Sequence, residues 1–431
     1  MPSRPLTMLV AVCGVWAFTT FEVTLLDIER KGTKAITVTV MGLGLLMNGG
    51  IAHAFDAGPW LFVVPISSQD GVFLGTSSPW CPLRSFCQGR LRVPERPRQR
   101  RRGVTSVCCA RLDGTSAGPY LEGEINMAHD DQAQAAFDNF VQLWTTGTTG
   151  GRRAPVLRRP HEVGLDYEDV TFPSMDGVPL EGWFIPADSD KLIIHNHFLP
   201  GNRYGYPGHL PEFGGLGGFE VSFLPEYKAL HDAGYNVLAY DMRNHGLSGQ
   251  GNGGIAGIGL LEYRDVIGSL RYAASRPDTK DMRKVLLSVC LGADSTAVAW
   301  SKYPEEFSEI QAMVMLQPVS GPYIVEEFVK AIGMPDGYDK FDKAVHELTG
   351  FHLAEQSPLE HVKSVSVPTL VAQVHDDTMT RPEDVQSIFD ALLVADKELH
   401  WIEGTDRRFD GYNYFGAHPE IPIDWFNKHL K

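Results

Sequence analysis

The feature that most limits the fold is a repeated alternation, beyond residue 160, of short apolar runs with amphipathic helical patterns. Runs at 192–195 (LIIH), 236–240 (NVLAY), 285–288 (VLLS), 312–317 (AMVMLQ), 369–374 (TLVAQV) and 399–403 (LHWIE) are short and almost free of charge, as strands buried on both faces require. Between them, Tyr263, Ile267, Leu270 and Ala274 fall on one helical face, and Val385, Ile388, Phe389 and Leu392 fall on another. Strand alternating with helix predicts a mainly parallel sheet covered on both sides. At its start, 167–174 and 178–186 flank Asp176-Gly177, a dipeptide that favours a tight hairpin turn. The sheet should therefore open with an antiparallel pair. Sites in such sheets form beyond the carboxyl ends of the strands, so the chemistry is to be sought just after each run.

The chain has two parts of different character. Residues 1–126 carry 13 Lys and Arg against 9 Asp and Glu, whereas 127–431 carry 25 against 44. An overall charge of −15 argues against a protein that neutralises nucleic-acid phosphates. Five of the six cysteines, Cys13, Cys81, Cys87, Cys108 and Cys109, lie in the first part at spacings that match no zinc pattern. The acidic part holds Cys290 alone, so it has no internal disulfide, which suits a reducing, cytoplasmic setting. The apolar stretch 7–21 falls short of the roughly 20 residues a membrane span needs and lacks a small-x-small cleavage site after it. Arginines at 90, 92, 96, 98, 100, 101 and 102, interleaved with Pro94 and Pro97, read as a solvated basic linker. The sequence thus predicts a poorly patterned extension over 1–126 and a catalytic-type domain over 127–431, opening with a helix over 128–144.

Three motifs follow predicted strands. Ser288-Val289-Cys290-Leu291-Gly292-Ala293 stands between the run VLLS and a helical pattern. A thiol at the start of a helix gains thiolate character from the positive end of the helix dipole. Asp241-Met242-Arg243-Asn244-His245-Gly246-Leu247-Ser248 follows the run NVLAY, and Val374-His375-Asp376-Asp377 ends the run TLVAQV. His195 and His197 alternate and so share a face of their strand, an arrangement also found in metal-dependent hydrolases. No H-E-x-x-H and no assembled carboxylate set accompany them, so no metal and no cofactor is expected. The glycine-rich 205–218 and 251–259 match no phosphate-binding loop and read as mobile loops over a site.

Over 167–431 these motifs resemble the α/β hydrolases. The segment around Cys290 resembles the nucleophile elbow G-x-S-x-G, with cysteine at the centre and Ser288 in place of the first glycine. The segment 241–248 resembles the D-x-R-G-x-G-x-S turn, with Asn244 replacing a glycine. The resemblance implies an α/β-hydrolase fold with a helical cap inserted over about 319–366, whose aromatics suit an apolar substrate. It implies Cys290 as nucleophile and Asp377, with Asp376 as the substitute, as the acid. It also implies an oxyanion hole from the Leu291 amide and the loop at His197 and Phe198.

The expected histidine is missing, because arginine occupies its place in Glu403-Gly404-Thr405-Asp406-Arg407-Arg408. Arginine stays protonated and cannot serve as a base. Two readings stand: His418 swings in as the base, or Arg407 or Arg408 pairs with Asp377 and stabilises a Cys290 thiolate formed without one. The similarity to secondary-metabolism hydrolases, polyketide transferases and dienelactone hydrolases implies acyl transfer. The reaction would run through an acyl-enzyme on an ester or thioester, with a small acyl substrate, free or held by a carrier protein. The rivals are a non-catalytic binding scaffold and a metal-dependent hydrolase.

Overall fold

A computed structural model describes residues 119–431, with side chains from 131 onward, and the backbone of five strands between 6 and 66. Compactness divides the chain into Met1–Ala110 and Arg111–Lys431. In the first unit, Leu6–Val12 pairs antiparallel with Val15–Phe21, and Thr24–Arg30, Thr33–Asn48 and Ile51–Ile66 form an antiparallel sheet. The apolar stretches there are thus strands rather than unpatterned chain. The arginine-rich linker and the five early cysteines lie outside the described residues.

In the second unit, helix α1 (Pro119–Thr146) begins earlier than its apolar stripe suggested. The sheet comprises β1 (Glu168–Pro173), β2 (Pro179–Ile185), β3 (Lys191–Asn196), β4 (Asn236–Tyr240), β5 (Arg283–Val289), β6 (Ile310–Leu316), β7 (Thr369–Val374) and β8 (Lys397–Ile402). Their spatial order is β8-β7-β6-β5-β3-β4-β2-β1. The first two strands form the expected hairpin, with Gly177 in the left-handed region at φ 89°. Strand β2 is also antiparallel to β4, and β3 to β8 run parallel. Every residue of β4 and β7 is buried, as their apolar composition requires.

The order reverses beside β3, whose neighbours are β4 and β5. Crevices at such reversals are where open α/β sheets bind ligands. Helices α2 (Leu224–Asp232), α3 (Tyr263–Ser275) and α4 (Leu291–Lys302) cross over between strands. The cap after β6 contains α5 (Gly321–Ala331) and α6 (Tyr338–Thr349), inside the limits the sequence suggested. Helix α1 closes on it: the Phe140 ring lies 4.0 Å from Phe328 and 5.5 Å from Phe341, and Trp144 Nε1 donates to Gln356 Oε1 at 2.7 Å.

The glycine-rich segments pack rather than stand open. Gly205–Pro207 pairs with Glu220–Ser222, and Tyr206 and Phe213 are buried beneath them. The 241–248 turn is held by buried charge. Asp241 accepts the amides of Arg203 and Leu247, while Arg243 grips Asp265 and Asp176. Asn244 adopts φ 66°, which explains how it replaces a glycine: asparagine tolerates the left-handed region better than most residues.

Candidate active site

Strand β5 ends at Val289 and α4 begins at Leu291, which leaves Cys290 alone in the turn at φ 49° and ψ −111°. That strained geometry fits the elbow expected from the sequence, and it presents the side chain above the sheet. Close packing allows the turn. A Cβ at Gly292 would lie 2.3 Å from the Asn196 carbonyl oxygen, so glycine is required there. Ser288 takes the place of glycine because its hydroxyl finds partners, Asn196 Nδ2 at 2.9 Å and Thr296 Oγ1 at 3.0 Å.

Cys290 lies in the wall of an apolar cavity. Phe140 and Trp144 from α1, Ile324 from the cap, and Leu216 and Ile258 from the glycine-rich segments line it. Its polar groups are Cys290, Asp294, Arg408 and Tyr412. Among the described residues no histidine lines it.

Beyond β8, Arg408 opens the short helix α7 (Arg408–Tyr412), which sets Arg408 and Tyr412 one turn apart. Arg408 Nη1 donates to Asp377 Oδ2 at 2.7 Å, Nε to the Tyr412 hydroxyl at 2.8 Å, and Nη2 to the Gln317 carbonyl at 2.6 Å. Gln317 replies by donating Nε2 to the Arg408 carbonyl at 2.7 Å and itself sits at φ 53°. Burial works against the Arg408 charge, but Tyr412, Asp377 and Cys290 together hold its pKa well above the usual range. Tyr412 is also raised, first by burial, against the pull of Arg408 and with the adjoining Cys290 sulfur adding to it. Neither group can accept a proton at neutral pH.

The predicted residues separate clearly. Asp377 is the buried carboxylate and also accepts Gln373 Nε2 and the Met379 amide, whereas Asp376 is exposed and bonds to His375. Arg408 faces the site, while Arg407 is exposed and reaches the Gly217 carbonyl. His418 lies between the helices Tyr414–Ala417 and Glu420–His429, half exposed, against Tyr414 and Glu420. The structure does not bring it into the cavity.

Leu291 is the first residue of α4, and neither its amide nor that of Phe198 meets an acceptor among the described residues. The His197 carbonyl instead braces the elbow by accepting the Gly292 amide at 3.1 Å, and the Phe198 ring stacks on Tyr412 at 4.0 Å. His197 Nε2 accepts the Met242 amide, which assigns Nδ1–H as donor to the Phe198 carbonyl. Burial pushes its pKa well down. His195 contacts Glu226 and Tyr227 instead. Among the described residues no three His, Cys, Asp or Glu side chains converge as a metal ligand set.

The sequence reasoning missed Tyr412, Asp294 and the α1 aromatics. Two signals were available. Tyr412 stands four residues after Arg408, one helical turn on, and Asp294 stands one turn into the helical pattern that follows Cys290.

Among solved structures, an esterase of Pyrococcus furiosus superposes with a TM-score of 0.50 at 22% identity, over 65% of this chain and 97% of that one. Together with the strand order and the elbow, this decides the architecture. The fold is that of the α/β hydrolases. A dienelactone hydrolase of Anabaena variabilis is similar at a TM-score of 0.40 and 16% identity, over 62% of this chain and 99% of that one. Among curated proteins, an uncharacterized protein of Salmonella typhimurium, YfhR, is 31% identical over 138 residues, or 31% of this chain. The chain spans 40% of that relative's length. No family model matches the chain. Among the described residues no helix is long and apolar enough to cross a membrane.

Proposed function

We propose that this α/β-hydrolase-fold protein is an acyl-transfer enzyme, a hydrolase or acyltransferase acting on an ester or thioester, with Cys290 as its nucleophile. The observation that carries the reading is Cys290 in the elbow turn at φ 49°, set in the wall of an apolar cavity. The sulfur attacks the acyl carbonyl, the S–C bond forms and the bond to the leaving group breaks. The free amides of Leu291 and Phe198 are the donors for the resulting oxyanion. The Arg408 guanidinium and the start of α4 place positive charge beside the sulfur.

A cavity without a base favours a thioester donor. Its leaving group departs as a thiolate and needs no proton in that step, whereas an alkoxide does. Water attacking the acyl-enzyme would likewise go unassisted, so a more nucleophilic acceptor competes well. The likeness of the motifs to secondary-metabolism hydrolases and polyketide transferases supports activated acyl thioesters, free or on a carrier protein, as donors. A reducing cytoplasmic setting would keep the thiol available.

The test is intact mass after brief exposure to a panel of acyl thioesters and esters, for wild type and Cys290→Ala. An acyl adduct confined to wild type supports the reading. No adduct across the panel, with Cys290 no faster toward iodoacetamide than free cysteine, favours a binding scaffold, the reading that Arg408 beside Asp377 in place of histidine would then support.

A further inference from the structure

The acyl-transfer reading gives no role to Asp294, a polar group of the cavity. Asp294 stands on α4 one turn beyond Cys290 and is 3% exposed. It lines the same cavity, opposed by the apolar side chains of Trp144, Ile258 and Ile324. Among the described residues its side chain has one hydrogen bond, from the Val319 amide to Oδ1 at 3.5 Å, at the outer limit of such bonds. The nearby Asp384 is differently served: Oδ2 accepts the Ser320 amide at 2.9 Å and the Thr380 hydroxyl at 3.2 Å. Asp294 therefore brings a carboxyl with unused hydrogen-bonding capacity to a wall that is otherwise hydrocarbon. Such a group is costly to leave unmatched, so a ligand that pairs with it is favoured over one that does not.

We infer that Asp294 is a specificity residue that donates a hydrogen bond to an oxygen on the acyl chain, so that the substrate is a hydroxy- or oxo-acyl group rather than a plain hydrocarbon acid. The inference rests on Cys290 lying at the reacting end of the cavity. Burial, with the Val319 amide and the Arg408 charge opposing and Asp384 adding to it, raises the Asp294 pKa well above the usual range, which favours the proton-bearing carboxyl as a donor. The Asp294 amide donates to the Cys290 carbonyl at 3.0 Å, so the two residues stand one helical turn, about 5.4 Å, apart along the chain, which puts the matched oxygen near the third to fifth carbon of the acyl group. Tyr412 and Arg408 already bond to each other at the Cys290 end, so Asp294 is the polar group left to read the chain.

Protection of Cys290 tests this without requiring turnover. Octanamide and its 3-, 4- and 5-hydroxy derivatives are titrated against iodoacetamide, and alkylation is read on the peptide that carries Cys290. Wild type should be protected by at least one hydroxy derivative at about tenfold lower concentration than by octanamide. Asp294→Asn, which keeps a donor, should retain the preference, and Asp294→Leu and Asp294→Ala should lose it while octanamide protects as before. No preference in wild type, or a preference that survives in the Leu and Ala variants, overturns the inference. Acylation by octanoyl and hydroxyoctanoyl thioesters is scored separately. If no thioester acylates Cys290 but the amide preference holds, the acyl-transfer reading fails and the Asp294 assignment stands.

Discussion

Arg408 Nη1 lies 2.7 Å from Asp377 Oδ2, with both side chains buried at the carboxyl end of the sheet. The pair puts a permanent cation beside Cys290, at the place where the related motif has a titratable base. Removing one member leaves the other charge buried without its partner, which costs about 3–5 kcal/mol, whereas replacing both with apolar residues costs much less. Arg408→Leu and Asp377→Leu should each lower stability by about that amount in urea titrations, and the double variant should lie closer to wild type than the two losses summed. Arg408→Leu should also slow alkylation of Cys290 at pH 7. An additive double variant would show that the pair is not coupled.

Serine cannot replace the nucleophile where no base is available. Cys290→Ser should lose at least about 100-fold in acylation rate, the lower end of what a positioned general base contributes, with the fold unchanged by circular dichroism. Acylation of the serine variant at a near-wild-type rate would reveal a base that the cavity lining does not contain.

Gly292 marks the closest approach between α4 and β3. Gly292→Ala forces its Cβ toward the Asn196 carbonyl oxygen, 2.3 Å away in the present geometry. The strain should cost about 1–3 kcal/mol and shift the Leu291 amide, so stability and acylation rate should fall together. Loss of stability alone, with acylation kinetics intact in the folded fraction, would separate the elbow packing from the oxyanion donors.

His245 gives the fold a pH dependence. It is buried, and burial lowers its pKa to about 4, with the Arg243 carbonyl opposing and the Arg153 charge assisting. Its ordinary value is 6.5. Below that, the unfolded chain takes up a proton that the folded protein refuses, so this contribution is intact at pH 7 and is lost as pH falls toward about 4. At pH 5 the loss is about 2 kcal/mol. His245→Asn can keep the donation to the Arg243 carbonyl but does not titrate, so its stability should fall less than that of wild type between pH 7 and pH 5. Equal falls in the two proteins would remove His245 from the acid response.

What the amino-acid sequence determined by itself is local. Unbroken apolar runs such as 369–374 specify buried strands, because each residue contributes to one short element whatever lies across from it. Asp-Gly specifies the hairpin, and small residues two positions before and after Cys290, Ser288 and Gly292, suit a turn that closes tightly. These signals sufficed for the fold. Tertiary structure alone decided which of two adjacent arginines faces Asp377, since Arg407 and Arg408 differ only in which side of a turn they leave from. It also kept His418 apart from the cavity, brought Tyr412 against the sulfur, and packed Phe140 and Trp144 of α1 over a cap nearly two hundred residues later in the chain. Periodicity records which side of an element is buried, but which distant element covers it depends on close packing among side chains far apart in sequence.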